Sequence, residues 1–163
     1  MPGGRFLSIL RTLAECRVEF IVVGGVAALL KGAPINTLDL DVVHSTSPEN
    51  VARLLTALKE LDAYYRFQPE LRLRPDDSHL CSLGHQLLLT RFGPLDLLGA
   101  IGKGHIYSDL LRHTAEIEVG ENLRCPVLDL ETQIAIKEEV GGEKDLRVLP
   151  LLRQALAESR RAK

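Results

Sequence analysis

Asp39 and Asp41 stand two residues apart in Thr37-Leu38-Asp39-Leu40-Asp41-Val42-Val43, an apolar run rich in β-branched residues. On a strand, residues i and i+2 share a face, with Cα atoms roughly 6.6 Å apart. Two carboxylates so placed repel each other and resist desolvation, and a divalent cation removes both costs. Twelve residues before Thr37, Val22-Val23-Gly24-Gly25-Val26-Ala27 has the pattern of a strand that stops at two glycines and turns into a helix. Bare backbone N–H groups and a positive helix terminus there suit a phosphate. Asp96, in Gly93-Pro94-Leu95-Asp96-Leu97-Leu98, is a third lone carboxylate in an apolar strand. Two-metal centres draw on about three such acids from neighbouring strands, and Mg²⁺ prefers oxygen ligands. The chemistry these residues suit is phosphoryl or nucleotidyl transfer. The bland alternatives are a solvated strand face for Asp39 and Asp41, and a turn aspartate bonded to backbone N–H groups for Asp96.

The elements that must position these residues follow from pattern. Apolar residues at Phe6, Leu7, Leu10, Leu13 and Ala14 predict a helix over 5–16, and Glu19–Val23 a buried strand. A short helix is expected from Val26 to Lys31, stopped by Gly32-Ala33-Pro34, and a second strand from Thr37 to His44. Ser47 as N-cap and Pro48 at the first helical position start a helix that runs to about Leu61. Residues 62–82, polar and broken by Pro69 and Pro75, are hard to assign. Gln86–Phe92 and Leu95–Leu98 read as strands paired around a Gly93-Pro94 turn. A glycine-rich link (99–104), a helix over 107–113 and short strands at 117–119 and 125–128 come next. Asp129 caps a helix from Leu130 to Val140, and Asp145–Arg160 is the last helix, with Pro150 inside it. Strands alternating with helices and then a hairpin predict an α/β (α+β) class, a mixed sheet flanked by helices.

The chain of 163 residues carries a formal net charge of −2 and fits a single domain over 1–163. That charge argues against a large nucleic-acid footprint but leaves room for a local basic patch. Cys16, Cys81 and Cys125 are scattered and read as free thiols of a reducing compartment. The first seven residues lack the apolar core of a signal peptide, and Phe20–Leu30 is too short to span a bilayer. A cytoplasmic protein without membrane contact is the expectation.

Lesser candidates are weighed against plainer roles. Gly99-Ala100-Ile101-Gly102-Lys103-Gly104-His105 fails the Walker pattern, although Lys103 or His105 could still touch substrate. His79-x-Cys81-x-x-x-His85 matches no standard zinc spacing. His44, past the strand valines, reads as incidental, and His113 carries no signal. Tyr64-Tyr65-Arg66-Phe67 could stack a base, but packing at a helix end is the commoner use. Arg72 and Arg74 alternate on what reads as a strand and are candidates to face the acidic pocket.

Gly24-Gly25, Thr37-x-Asp39-x-Asp41 and the later strand acid resemble the signature of the DNA polymerase β-like nucleotidyltransferase superfamily, above all its minimal bacterial MNT-like and AbiEii-like members. Lys137-Glu138-Glu139-Val140-Gly141-Gly142-Glu143-Lys144-Asp145 is similar to their C-terminal Lys…Lys-Asp element, so the likeness covers about residues 18–150. The resemblance implies a nucleotidyltransferase-type sheet and transfer of a nucleoside monophosphate from a triphosphate such as ATP to an acceptor hydroxyl. It also implies that Asp39, Asp41 and Asp96 hold Mg²⁺, two ions in all, with Asp96 also deprotonating or orienting that hydroxyl. Gly24, Gly25 and Thr37 would meet the nucleotide. Lys137 and Lys144 would approach its phosphates, with Asp145 orienting Lys144 or capping the next helix. The acceptor, whether small molecule, RNA or protein, is not legible. Ile35 and Gly142 stand where members often carry Arg, which removes two phosphate-side cations. An alternative on the same fold is therefore a weakly catalytic nucleotide-binding protein, one half of a toxin–antitoxin-like pair or a regulator with a protein partner.

Overall fold

The computed structural model describes residues 4–162; residues 1–3, read above for a leader, and residue 163 lie outside them. In chain order the elements are α1 (Gly4–Glu15), β1 (Phe20–Val23), α2 (Gly24–Leu30), β2 (Leu40–His44), α3 (Pro48–Glu60), β3 (Tyr64–Tyr65), α4 (Asp77–Leu80), β4 (His85–Thr90) and β5 (Gly93–Leu98). Then come β6 (Ala100–Ile101), β7 (His105–Ile106), α5 (Tyr107–Leu110), β8 (Thr114–Gly120), β9 (Leu123–Leu128), α6 (Leu130–Val140) and α7 (Glu143–Arg161).

Seven strands form one sheet in the order β3-β4-β5-β2-β1-β9-β8. β1 runs antiparallel to β2, whereas β2–β5 and β1–β9 are parallel, so the sheet is mixed as expected. The period of two along each strand sorts its residues between two faces. One face carries Phe20, Val22, Leu40, Val42, Leu95 and Leu97, buried beneath Ile9, Leu10 and Leu13 of α1 and Leu54 and Leu58 of α3. The other carries Ile21, Val23, Val43, Leu98 and Leu128, packed with Leu110 of α5. A separate apolar cluster joins α2, α6 and α7 through Ala28, Ile134, Leu149 and Leu152. α7 is thereby held on α6, and α6 against α2.

Several boundaries differ from expectation. α2 starts at Gly24, so the two glycines form its first turn instead of preceding it. β2 starts at Leu40, which leaves Thr37 and Asp39 in the connection before the strand. The hairpin turn falls on Arg91-Phe92: Thr90 pairs with Gly93, and the expected turn residues Gly93 and Pro94 open β5. Residues 99–104 belong to a small hairpin of their own, β6–β7. α7 begins two residues early, with Gly142 as its N-cap, and continues through Pro150. Residues 62–82 resolve into the two-residue β3, a single 3₁₀ turn (Pro69–Leu71) and the one-turn α4.

Cys16, Cys81 and Cys125 are all free thiols, and burial pushes the Cys125 thiol up to about 12, so it is an inert core group. Among the described residues no helix is long and apolar enough to cross a membrane.

Asn50 fixes the helix-to-sheet geometry. Its side chain is fully buried; Oδ1 accepts from the Glu19 amide at 2.7 Å, and Nδ2 donates to the carbonyls of Glu19 (3.1 Å) and Ser45 (2.8 Å). One side chain thus ties α3 to the start of β1 and the end of β2. Asn50→Ala strands the Glu19 amide and both carbonyls, and is expected to cost about 3 kcal/mol. Urea unfolding followed by circular dichroism checks this: the midpoint should fall at constant slope, and an unchanged midpoint would refute the bracing role.

Candidate active site

Strand pairing builds the centre of the site. Val23 lies opposite Asp41 across β1–β2, and Asp41 opposite Asp96 across β2–β5. The two carboxylates occupy adjacent positions on the Val43–Leu98 face. Each has one oxygen, Asp41 Oδ1 and Asp96 Oδ1, that is buried without a hydrogen-bond partner. Such orphaned buried acceptors are rare in folded proteins and call for a ligand. Burial, then the charge and hydrogen bonding of Asp96, then the charge of Asp39, push Asp41 up from 3.8 to about 7.

The glycines make room for this pair. Gly24 has a φ of +67°, and a Cβ placed on it would run into the Asp41 carboxylate. A Cβ on Gly25 would lie 2.8 Å from Cβ of Thr37 and 2.9 Å from its Oγ1. The start of α2 therefore presses directly on Asp41 and Thr37. No side chain caps α2, so its first-turn amides keep free hydrogens. Thr37 shapes the approach to β2, since its Oγ1 donates to the Asp39 carbonyl at 3.2 Å and accepts from the Asp39 amide at 3.4 Å.

An open cleft of about 560 Å³ runs from the acids to the C-terminal helices. Gly24, Gly25, Thr37, Asp39 and Asp41 form one wall, and Lys137, Lys144 and Asp145 the other. All the residues singled out for the nucleotide thus line one cavity. An adjoining pocket of about 180 Å³, walled by Leu98, Ile101, Leu128, Ile136 and Val140, shares Gly24, Asp41, Lys137 and Asp145 with it. Its apolar wall is what desolvates Asp41. Lys137 Nζ sits 3.3 Å from Asp145 Oδ1, so Asp145 holds Lys137 instead of orienting Lys144 or capping α7.

Asp96 has a partner that sequence reasoning passed over. Arg66 Nη1 lies 2.8 Å from Asp96 Oδ1, a charge contact that lacks hydrogen-bond alignment, while the same nitrogen donates to the Leu88 carbonyl at 2.9 Å. The sequence signal was there: Arg66 is the one cation within the Tyr64–Phe67 aromatic cluster. The charge of Arg66 also pulls the Asp41 proton affinity down, against the stronger effects of burial and Asp96.

The oxygens of Asp41 and Asp96, together with the close approach of Gly24, fit a small hard cation. Asp39 stands near enough for its charge to act on Asp41. Among the described residues, however, no three His, Cys, Asp or Glu side chains gather closely enough to hold a metal as they stand. Other candidates lie elsewhere. Arg72 and Arg74 are not on a strand and both pair with Asp62, with Arg72 stacked 4.3 Å over the Tyr64 ring. His44 points to the opposite sheet face, buried against the Leu80 carbonyl at 2.9 Å, and burial lowers its pKa. His79 pairs with Asp76 and His85 with the Ala100 carbonyl. His105 binds Glu139 at 2.7 Å, and neither it nor Lys103 lines the acid cleft.

No protein-family model matches the sequence, and no curated protein matches it either. Solved structures match its shape. A candidate nucleotidyltransferase from Thermotoga maritima superposes with a TM-score of 0.58 at 17% identity, over 94% of this chain and 91% of that one. The lincosamide antibiotic adenylyltransferase LnuA, with lincomycin bound, gives 0.61 at 14% identity, over 95% and 98%. ANT(2'')-Ia in complex with adenylyl-2''-tobramycin gives 0.56 at 16%, over 94% and 89%. At such identities the likeness carries the fold: the chain has the architecture of nucleotidyltransferases, the one its sequence predicts.

The raised proton affinity of Asp41 has a consequence for stability. The folded protein holds this proton more tightly than the unfolded chain, so the contribution is full below the ordinary value of 3.8 and is lost as pH rises through about 7. In metal-free protein at pH 8, Asp41→Asn is expected to be stabilising by on the order of 2 kcal/mol, roughly 5 °C in thermal midpoint. At pH 4 the variant and the parent should melt together. Calorimetry at both pH values is the check, and a variant less stable at pH 8 would contradict the repulsion described.

Proposed function

We propose that the protein is a Mg²⁺-dependent nucleotidyltransferase of the reducing cytoplasm, moving a nucleoside monophosphate from a nucleoside triphosphate to an acceptor hydroxyl. The observation that carries this is Asp41, with an unpartnered buried oxygen and Asp96 beside it on β5, lining a cleft that also holds the start of α2 and two lysines. The nucleotidyltransferase fold supports it. So do the solved neighbours that carry an adenylyl group or a small-molecule acceptor.

In this reading Asp39, Asp41 and Asp96 hold the cation. Mg²⁺ bound there supplies charge neutralisation on the α-phosphate and the leaving pyrophosphate. The chain's own residues do the rest. The amides of Gly24 and Gly25 take phosphate oxygens, and Thr37, bonded to the Asp39 backbone, shapes the turn that carries Asp39. Lys137, steadied by Asp145, and Lys144 flank the β- and γ-phosphates. Asp96 receives the proton of the acceptor hydroxyl as its oxygen bonds to the α-phosphorus. The bond from phosphorus to the pyrophosphate oxygen breaks, and pyrophosphate leaves with that electron pair. The work is positioning and charge neutralisation, as in phosphoryl transfer generally.

Asp41→Asn and Asp96→Asn are each expected to lower transfer from labelled ATP by about 10³-fold or more, the loss of roughly 4 kcal/mol of transition-state stabilisation, with folding retained. Chelation of divalent cations should do the same to the parent protein. Transfer that survives in either variant rejects the assignment. ATP binding by calorimetry without any transfer would instead favour the regulatory nucleotide-binding alternative.

A further inference from the structure

A second cleft, of about 440 Å³, opens one strand away from the acids, and its lining includes Tyr65, Arg66, His79, His85, Gln86 and Leu87. Leu87 is the register partner of Asp96, so this cleft begins where the reacting centre ends. Its lining contains no carboxylate. Both contacts of the Arg66 guanidinium, to Asp96 and to the Leu88 carbonyl, fall on Nη1, leaving Nη2 and Nε without a protein partner among the described residues. His79 uses Nδ1 on Asp76 and His85 uses Nε2 on the Ala100 carbonyl, so each keeps its other ring nitrogen. The Gln86 amide is held in place, accepting from the Tyr65 hydroxyl at 2.5 Å and donating to the His79 carbonyl at 3.4 Å. Leu87, 44% exposed, and Phe67, 59% exposed, leave apolar surface beside these groups.

A cleft that holds a half-free guanidinium and no carboxylate selects for negative charge. We propose that it is the acceptor subsite and that the acceptor is an anion: a small molecule whose phosphate or carboxylate binds Arg66 while its hydroxyl reaches Asp96. The role of Asp96 rests on the nucleotidyl-transfer reading above; the anion site itself does not. Arg66 couples the two. In the empty site its guanidinium is drawn to Asp96, the group that must accept the hydroxyl proton. An acceptor anion competes for the same guanidinium and leaves the Asp96 oxygen to the hydroxyl. Neutral acceptors do not loosen that contact, and cationic ones are repelled by it.

Four three-carbon alcohols test this: glycerol 3-phosphate, glycerate, glycerol and 3-amino-1,2-propanediol. The first readout is binding, followed by the NMR signal of the Arg66 Nε–Hε group, assigned by its absence in Arg66→Gln. The two anions should shift that signal at millimolar concentration and the other two should not. Binding of the anions should weaken at least about tenfold in Arg66→Gln and be largely kept in Arg66→Lys, which retains the charge. The second readout is transfer from labelled ATP, expected for the anionic alcohols over the neutral and cationic ones, with the preference erased in Arg66→Gln. If neither anion moves the Arg66 signal, or if glycerol is labelled as fast as glycerol 3-phosphate, the inference falls. Anion binding at Arg66 with no transfer to any alcohol would leave the anion site standing and count against the nucleotidyl-transfer reading alone.

Discussion

Two carboxylates forced side by side in a sheet are the constraint from which the rest of the structure follows. β2 and β5 are parallel and in register, and a slip of one residue would turn Leu40, Val42, Leu95 and Leu97 out of the core. The packing of one sheet face thus compels the repulsion on the other. Asp41 cannot move away from Asp96, so the charge must be neutralised where it stands. A proton held on Asp41 does so in part, the Arg66 guanidinium in part, and a cation could do so fully. The pair is costly in the absence of a ligand, and that cost makes it receptive.

The closeness of α2 has the same origin. Gly24 adopts a left-handed conformation against Asp41, and any side chain there would occupy the space beside the carboxylate. Gly25 is held as closely to Thr37. The uncapped start of a helix, the acid pair and the turn that carries Asp39 are therefore one packed unit, not three motifs that happen to be neighbours. Polar groups that would elsewhere be satisfied by a capping side chain are left facing the cleft.

Much of this was legible in the sequence because it is local. The helical period of α1 and α3, Ser47 with Pro48, and Asp129 ahead of α6 are short-range signals, and each lies where the pattern puts it. Gly24, Gly25, Thr37, Asp39, Asp41, Lys137, Lys144 and Asp145 do meet in one cleft, as the family resemblance implies. What failed depended on distant partners. Asp39 precedes β2 because Thr37 bonds around it, which no alternation reveals. Asp145 was read with its neighbour Lys144, yet α6 and α7 fold back so that Lys137 meets it. Arg72 and Arg74 looked available for the acids until the β3 edge brought Asp62 to them.

Arg66 shows most clearly where sequence reading stops. The superfamily pattern places phosphate-side cations near Ile35 and Gly142, and this chain has none there. Its nearest strong cation to the acids comes from the opposite edge of the sheet, on a residue that follows a two-residue strand in the least legible stretch of the chain. A guanidinium on that side cannot stand in for the missing ones, because the cleft lined by Lys137 and Lys144 and the Arg66 cleft lie on either side of the acid pair. It changes the charge beside Asp96 instead. In the reading proposed, Ile35 and Gly142 thus bear on how tightly a nucleotide would be held, while Arg66 bears on what can approach Asp96, and the two must be weighed separately.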